Sequence, residues 1–241
     1  MKINDVFVNY IIYGKNSKKT IILLHGWGQN IDMMRPIGDE FQNDFKILII
    51  DLPGFGASDE PKTIWSLNDY AKAINEIVKK EKIEKPIVMG HSFGGKLAIL
   101  YASMYEVEKV VLFASPINHN HKVSLKSKVL KQIKKLPLMN NLGEAMKKHI
   151  GSTDYKNASP IMRDILVRHL STDIYDSLKL IKAPTLIVWG ESDQAVNPSV
   201  AYEIDSQIKD SGVVMLPGTH YAYLENLGRV INILKSFIGD R

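Results

Sequence analysis

Gly90-His91-Ser92-Phe93-Gly94 sets one serine between two glycines, directly after the apolar run 85–91 and directly before a stretch that reads as a helix. In an open α/β sheet, ligands sit beyond the carboxyl ends of the strands, so a reactive side chain belongs at such a strand-to-helix junction. At the apex of so tight a turn, Ser92 is forced into a sparsely populated backbone conformation, and its neighbours two positions away crowd the strand and the helix. Gly90 and Gly94 supply the missing Cβ atoms. The turn lifts the hydroxyl clear of the sheet, and the following helix aims its free N–H groups at the space above it.

A serine hydroxyl is a weak nucleophile near neutral pH and needs a base, which in turn needs an orienting carboxylate. Asp193 follows the apolar run that ends at Trp189, and His220 follows the run that ends at Leu216. Each is therefore expected at the top of a strand, on the rim of Ser92, in the chain order Ser, acid, His. Glu191 is the alternative acid. "HGWG" at 25–28 is a further tight turn at a strand end, and the backbone N–H groups of Trp27 and Phe93 are the expected donors of an oxyanion hole. Taken singly, Asp193 could be a turn aspartate, His220 a core histidine and "HGWG" a plain strand-ending turn. Jointly they describe nucleophilic acyl transfer.

The remaining histidines have plainer readings. His119 and His121 have no third ligand beside them and are expected in a solvated loop, not at a metal. His149 and His169 fall in helical patterns and read as surface or lid-packing residues. His25 belongs to the "HGWG" turn, and His91 is the variable residue of the serine turn. The proposed chemistry requires no metal or organic cofactor.

The elements that must position these residues are visible as short, nearly all-apolar runs: 20–26, 45–54, 85–91, 109–115, 183–190 and 212–218. Runs without polar alternation suit strands covered on both faces. Between them, residues 66–83 open with Ser66 as an N-cap and space Leu67, Tyr70, Ile74, Ile77 and Val78 along one helical face. Residues 96–105 and 226–238 also read as helices. Alternating strands and helices predict a doubly wound, mostly parallel sheet, with residues 5–14 as an antiparallel hairpin arm at one edge. From 116 to 183 no strand-like run appears, and helical patterns are broken by Pro137, Gly143, Gly151 and Pro160. This segment is expected to be a helical lid inserted into a single core built from 1–115 and 184–241.

At 241 residues and 45% hydrophobic, the chain is long enough for one well-buried core. With no cysteine, thiol nucleophiles, disulfides and thiolate metal sites are excluded. The first residues lack the pattern of a secretory signal, and no run reaches the ~18 apolar residues of a membrane span, so a cytoplasmic protein is expected. Charge is uneven: between Pro116 and Ile150 eight lysines face one glutamate, a net +7, which leaves the rest of the chain at −2 within its formal +5. That distribution excludes a uniformly basic nucleic-acid binder. Leu125, Val129, Ile133 and Leu136 form one stripe among these lysines. The plainer reading is a lid helix with its lysines in water; the sharper one is a docking surface for an acidic carrier protein or an anionic surface.

"HGWG", "DLPGFGASD", "GHSFGG", "WGESDQAV" and "PGTHYAYLEN" together resemble the α/β-hydrolase superfamily, in the family's order and over nearly the whole chain. The resemblance implies an α/β-hydrolase fold, a Ser92–Asp193–His220 triad and a serine carboxylic-ester hydrolase acting on a small-molecule ester. It gives "DLPGFGAS" a supporting, non-catalytic role. Serine at the elbow, where dehalogenases and epoxide hydrolases use aspartate, argues against those activities. "HGWG" with "DLPGFGAS" is also similar to esterases that demethylate a carrier-bound pimeloyl ester. Alternatives on the same scaffold are a small-ligand sensor and a carbon–carbon hydrolase or lyase, since the fold and the triad are shared among them.

Overall fold

The computed structural model describes residues 1–118 and 158–239. Strands β1 (Lys2–Ile3) and β2 (Val6–Phe7) pair as a small antiparallel hairpin. The main sheet contains β3 (Tyr10–Gly14), β4 (Thr20–Leu24), β5 (Lys46–Ile50), β6 (Ile87–His91), β7 (Lys109–Phe113), β8 (Thr185–Gly190) and β9 (Ser211–Leu216). Their order is β3-β5-β4-β6-β7-β8-β9, parallel throughout except for β3, which runs antiparallel at the edge beside β5. The N-terminal arm is thus two pieces, a separate hairpin and an edge strand.

Successive strand residues point to opposite faces, and both faces are covered. Ile22, Leu24, Val88, Leu112 and Ile187 pack on one side with α2 (Leu67–Lys80), α3 (Phe93–Met104) and α6 (Ser199–Asp205). Ile21, Leu23, Met89, Val111 and Val188 pack on the other with α1 (Ile31–Phe41) and α8 (Leu227–Ile238). Apolar side chains are required at consecutive positions because no face meets water. Helices α4 (Pro160–Ser171) and α5 (Tyr175–Leu178) lie in the segment between β7 and β8, and α7 (Ala222–Glu225) follows β9.

Ser66 caps α2 as expected, in a reciprocal capping box with Asp69. Helix α1 has no clear signature in the sequence, because Pro36 and Gly38 interrupt its pattern. It forms because Asn30 caps Asp32 and because Ile31, Met34, Ile37 and Phe41 bury one face. Gly38 is needed there: a Cβ would press on Ile47 at 2.9 Å and Leu23 at 3.2 Å, so the helix could not lie this close to the sheet.

The turn between β6 and α3 is packed to contact. A Cβ on Gly90 would strike the Gly94 carbonyl, and one on Gly94 would fall on the carbonyl oxygens of Leu24 and His25. Backbone cannot yield as a side-chain tip can. Gly94→Ala is therefore expected to cost about 3 kcal/mol or more; a urea midpoint equal to that of the parent chain would refute this account of the turn.

Candidate active site

Ser92 joins β6 to α3 with φ 50° and ψ −111°, a left-handed φ that a residue with a Cβ adopts at a cost of about 1–3 kcal/mol. Two bonds hold it. Its N–H donates to the Phe113 carbonyl at 2.9 Å, and its carbonyl accepts the Lys96 N–H at 2.9 Å. The side chain does not cap α3, although it stands at the N-cap position. The Ser92 hydroxyl is thus kept off the nearby N–H groups.

Asp193 lies in the turn after β8, its side chain 0% exposed. Oδ1 accepts the N–H groups of Ala195 at 2.8 Å and Val196 at 2.9 Å, and Oδ2 lies 2.8 Å from His220 Nδ1. Burial pushes the carboxyl pKa up, but these hydrogen bonds outweigh it, and the net effect holds it below the usual range. Since the carboxylate only accepts, Nδ1 carries a proton, so in the neutral ring the lone pair is on Nε2. The loops after β8 and β9 are sewn together: Glu191 N–H reaches the Leu216 carbonyl and Ser192 N–H the Gly218 carbonyl, both at 2.9 Å. Glu191, the alternative acid, is exposed and is not the carboxylate bonded to His220.

His220 meets the serine turn through His91, whose ring centroid lies 4.8 Å from that of His220. His91 Nε2 is 3.1 Å from the His220 carbonyl, and Nδ1 is 3.2 Å from Gln29 Oε1. Burial, then repulsion from His220, holds His91 neutral with its pKa at about 3. The hydrogen bonds found among the described residues join Asp193 to His220 and His220 to His91, and do not include Ser92 Oγ. Two members of the expected triad are bonded, and the third is the residue following His91.

The loop 25–30 is braced from below. His25 Nε2 accepts the Leu52 N–H at 3.0 Å, which leaves the proton on Nδ1 to donate to the Gly26 carbonyl at 2.7 Å. Burial lowers its pKa to about 4, so this strut stays neutral. Asp51, 3% exposed, accepts from the N–H groups of Ile31 and Ala57 and from Asn9 Nδ2. This is how "DLPGFGAS" carries out its supporting role.

Trp27 and Phe93 sit side by side, ring centroids 5.2 Å apart. Phe93 heads α3, where N–H groups have no acceptor within the helix. His169 of α4 is the residue whose importance the sequence concealed: it is buried, stacked on Trp27 at 6.0 Å and set edge-on to Phe93 at 4.5 Å. Of its two readings, a surface residue is the one the structure sets aside, since the ring packs against Trp27 and Phe93. Lys96 is 0% exposed, and its Nζ donates to the carbonyls of His169 at 3.0 Å and Thr172 at 2.6 Å, a contact that no local pattern marks. What the sequence does mark is its position, one turn after Ser92 inside an otherwise apolar helix. His119, His121, His149 and the lysine-rich stretch lie outside the described residues, and among the described residues no group of three or more His, Cys, Asp or Glu could hold a metal ion. Nor, among them, is any helix long and apolar enough to cross a membrane.

Residues 19–141 match the family described as alpha/beta hydrolase fold, and the chain belongs to that family. It is 25% identical to Lipase 3 of Moraxella sp. (strain TA144), over 94% of this chain and 80% of that one. Two solved structures share the fold: the enol-lactonase from Burkholderia xenovorans LB400, with a TM-score of 0.74 and 20% identity over 97% of this chain and 96% of that one, and the esterase EaEST from Exiguobacterium antarcticum, with 0.74 and 21% over 98% and 96%. Family and relatives mark the chain as a hydrolase.

Because the folded pKa of Asp193 is depressed, its contribution to stability is full above the ordinary carboxylate value and drains as pH falls through the lower folded one. Asp193→Asn removes that contribution. In urea titrations between about pH 5 and about pH 3, stability is expected to fall less steeply in the variant than in the parent; identical slopes would show that the carboxylate is not held this way.

Proposed function

We propose that the chain hydrolyses carboxylic esters through an acyl-enzyme on Ser92. The observation that carries this reading is the 2.8 Å bond from His220 to a buried Asp193, on the rim where Ser92 occupies a strained turn. In the proposed reaction, Nε2 of His220 takes the Ser92 proton as Oγ bonds to the ester carbonyl carbon. Asp193 holds the imidazole and stabilises its charged form. The tetrahedral oxyanion accepts hydrogen bonds from the N–H groups of Trp27 and Phe93. Collapse breaks the bond to the alkoxy oxygen, which leaves with the proton from His220. Water, deprotonated by His220, then attacks the acyl-enzyme and returns Ser92.

Likeness to a lipase and to an esterase supports an ester as the acyl substrate. The segment 116–183 is proposed as the lid; within its described part, His169 of α4 packs against Trp27 and Phe93. A carrier-linked ester is the finer proposal, resting on the lysines of 122–148. Raising salt from about 0.05 to 0.5 M should then slow turnover of an ester on an acidic carrier while leaving a small free ester untouched; equal sensitivity speaks against docking.

A fluorophosphonate probe should label Ser92, mapped by peptide mass, and Ser92→Ala should lower kcat on a short aryl ester by roughly 10⁶-fold. Label on another residue, or an active alanine variant, would end the proposal. A single slow turnover in place of a steady rate would point instead to the ligand-sensor alternative.

A further inference from the structure

The wall above the loop 25–30 is aromatic. Trp27 meets Phe55 at 4.8 Å and Phe93 at 5.2 Å, and the His169 ring lies almost parallel to Trp27, 8° from coplanar. This imidazole cannot swing away freely. Its own carbonyl is gripped by Lys96, which is rooted in the helix that follows Ser92, and Asn118 Nδ2 donates to the neighbouring Leu170 carbonyl.

His169 is 5% exposed, and its Nδ1 is buried without a hydrogen-bond partner among the described residues. Buried polar atoms nearly always have partners, and leaving one unsatisfied costs about 1–3 kcal/mol. Phenylalanine or leucine would fill a place between two aromatic rings without that cost. A histidine there, against the two residues proposed to bind the oxyanion, has no partner for Nδ1 among the described residues until something enters.

We propose that His169 receives the acyl part of the substrate, pairing through Nδ1 with a neutral oxygen, an oxo or hydroxyl group, carried on the acyl chain a few atoms from the ester carbonyl. The inference rests on the ester-hydrolase reading and names its substrate class. Burial, followed by repulsion from Lys96, holds the imidazole neutral, with its pKa lowered to about 3. In a neutral imidazole Nδ1 either donates, as an oxo oxygen requires, or accepts, as a hydroxyl allows, and both suit an uncharged oxygen. It cannot offset a carboxylate, and the Lys96 ammonium is already engaged with two carbonyls. A plain alkyl chain would leave Nδ1 as it stands, buried and unpaired. A site built around such a polar atom discriminates against analogues that lack its partner.

The test compares kcat/KM for methyl hexanoate, its 3-oxo, 4-oxo and 5-oxo derivatives and monomethyl adipate, by pH-stat titration of the released acid. It uses the parent chain, His169→Phe and His169→Leu, each checked for folding by thermal melting. Intrinsic reactivity cancels when the ratio of oxo to unsubstituted ester is compared between proteins. For at least one oxo position that ratio should drop about tenfold or more in both variants, while the other positions change by less than about twofold. Unchanged ratios at every position would overturn the proposal, as would a parent preference for the adipate that His169→Phe abolishes. Failure of the underlying reading looks different: turnover of all the esters would survive Ser92→Ala, whatever the ratios at His169.

Discussion

The left-handed φ at Ser92 is the constraint to which the rest of the site answers. A residue with a Cβ holds that conformation only where its surroundings leave no relaxed alternative. Here the restraint comes from two directions: the neighbouring strand, through the Phe113 carbonyl, and the first turn of α3, through the Lys96 N–H. The two flanking glycines let strand, turn and helix approach to backbone contact. Every other site residue is placed relative to this corner. Trp27 arrives by the loop braced by His25 and Asp51, and His220 by contact with His91.

Polar groups are buried here at a cost, and the structure offsets that cost locally. Asp193 has lost water but gained two backbone donors and an imidazole, which together leave it more acidic than a free carboxyl group. His25 and His91 take the opposite course and remain uncharged, so that each links two loops without placing charge inside the sheet. Three histidines near one another could have competed for protons. Burial keeps His25 and His91 uncharged, and His220 is the one bonded to a carboxylate.

Much of this was legible in the sequence because the signals were local and redundant. Unbroken apolar runs mark strands covered on both faces, and Ser66 three residues before Asp69 marks the start of α2. The order of Ser92, Asp193 and His220 after three such runs predicts a shared rim. What stayed hidden was tertiary in origin. Helix α1 carries a proline and a glycine, and only packing against Leu23 and Ile47 explains it. Pattern alone could not choose between Asp193 and Glu191, which differ by two residues; the turn after β8 directs only the first toward His220. His169 and Lys96 are 73 residues apart, and no local rule reveals that one grips the other's backbone.

Lys96 stands one turn into α3, where the helix dipole is positive and a cation is unwelcome, yet its ammonium meets the negative end of α4, where a cation is favoured. The same charge is therefore misplaced on its own helix and well placed on its neighbour's. Should α4 lift, the ammonium would be stranded beside the pole that faces the serine, with its compensation gone. Any displacement of α4 would therefore alter the electric field at the reactive corner as well.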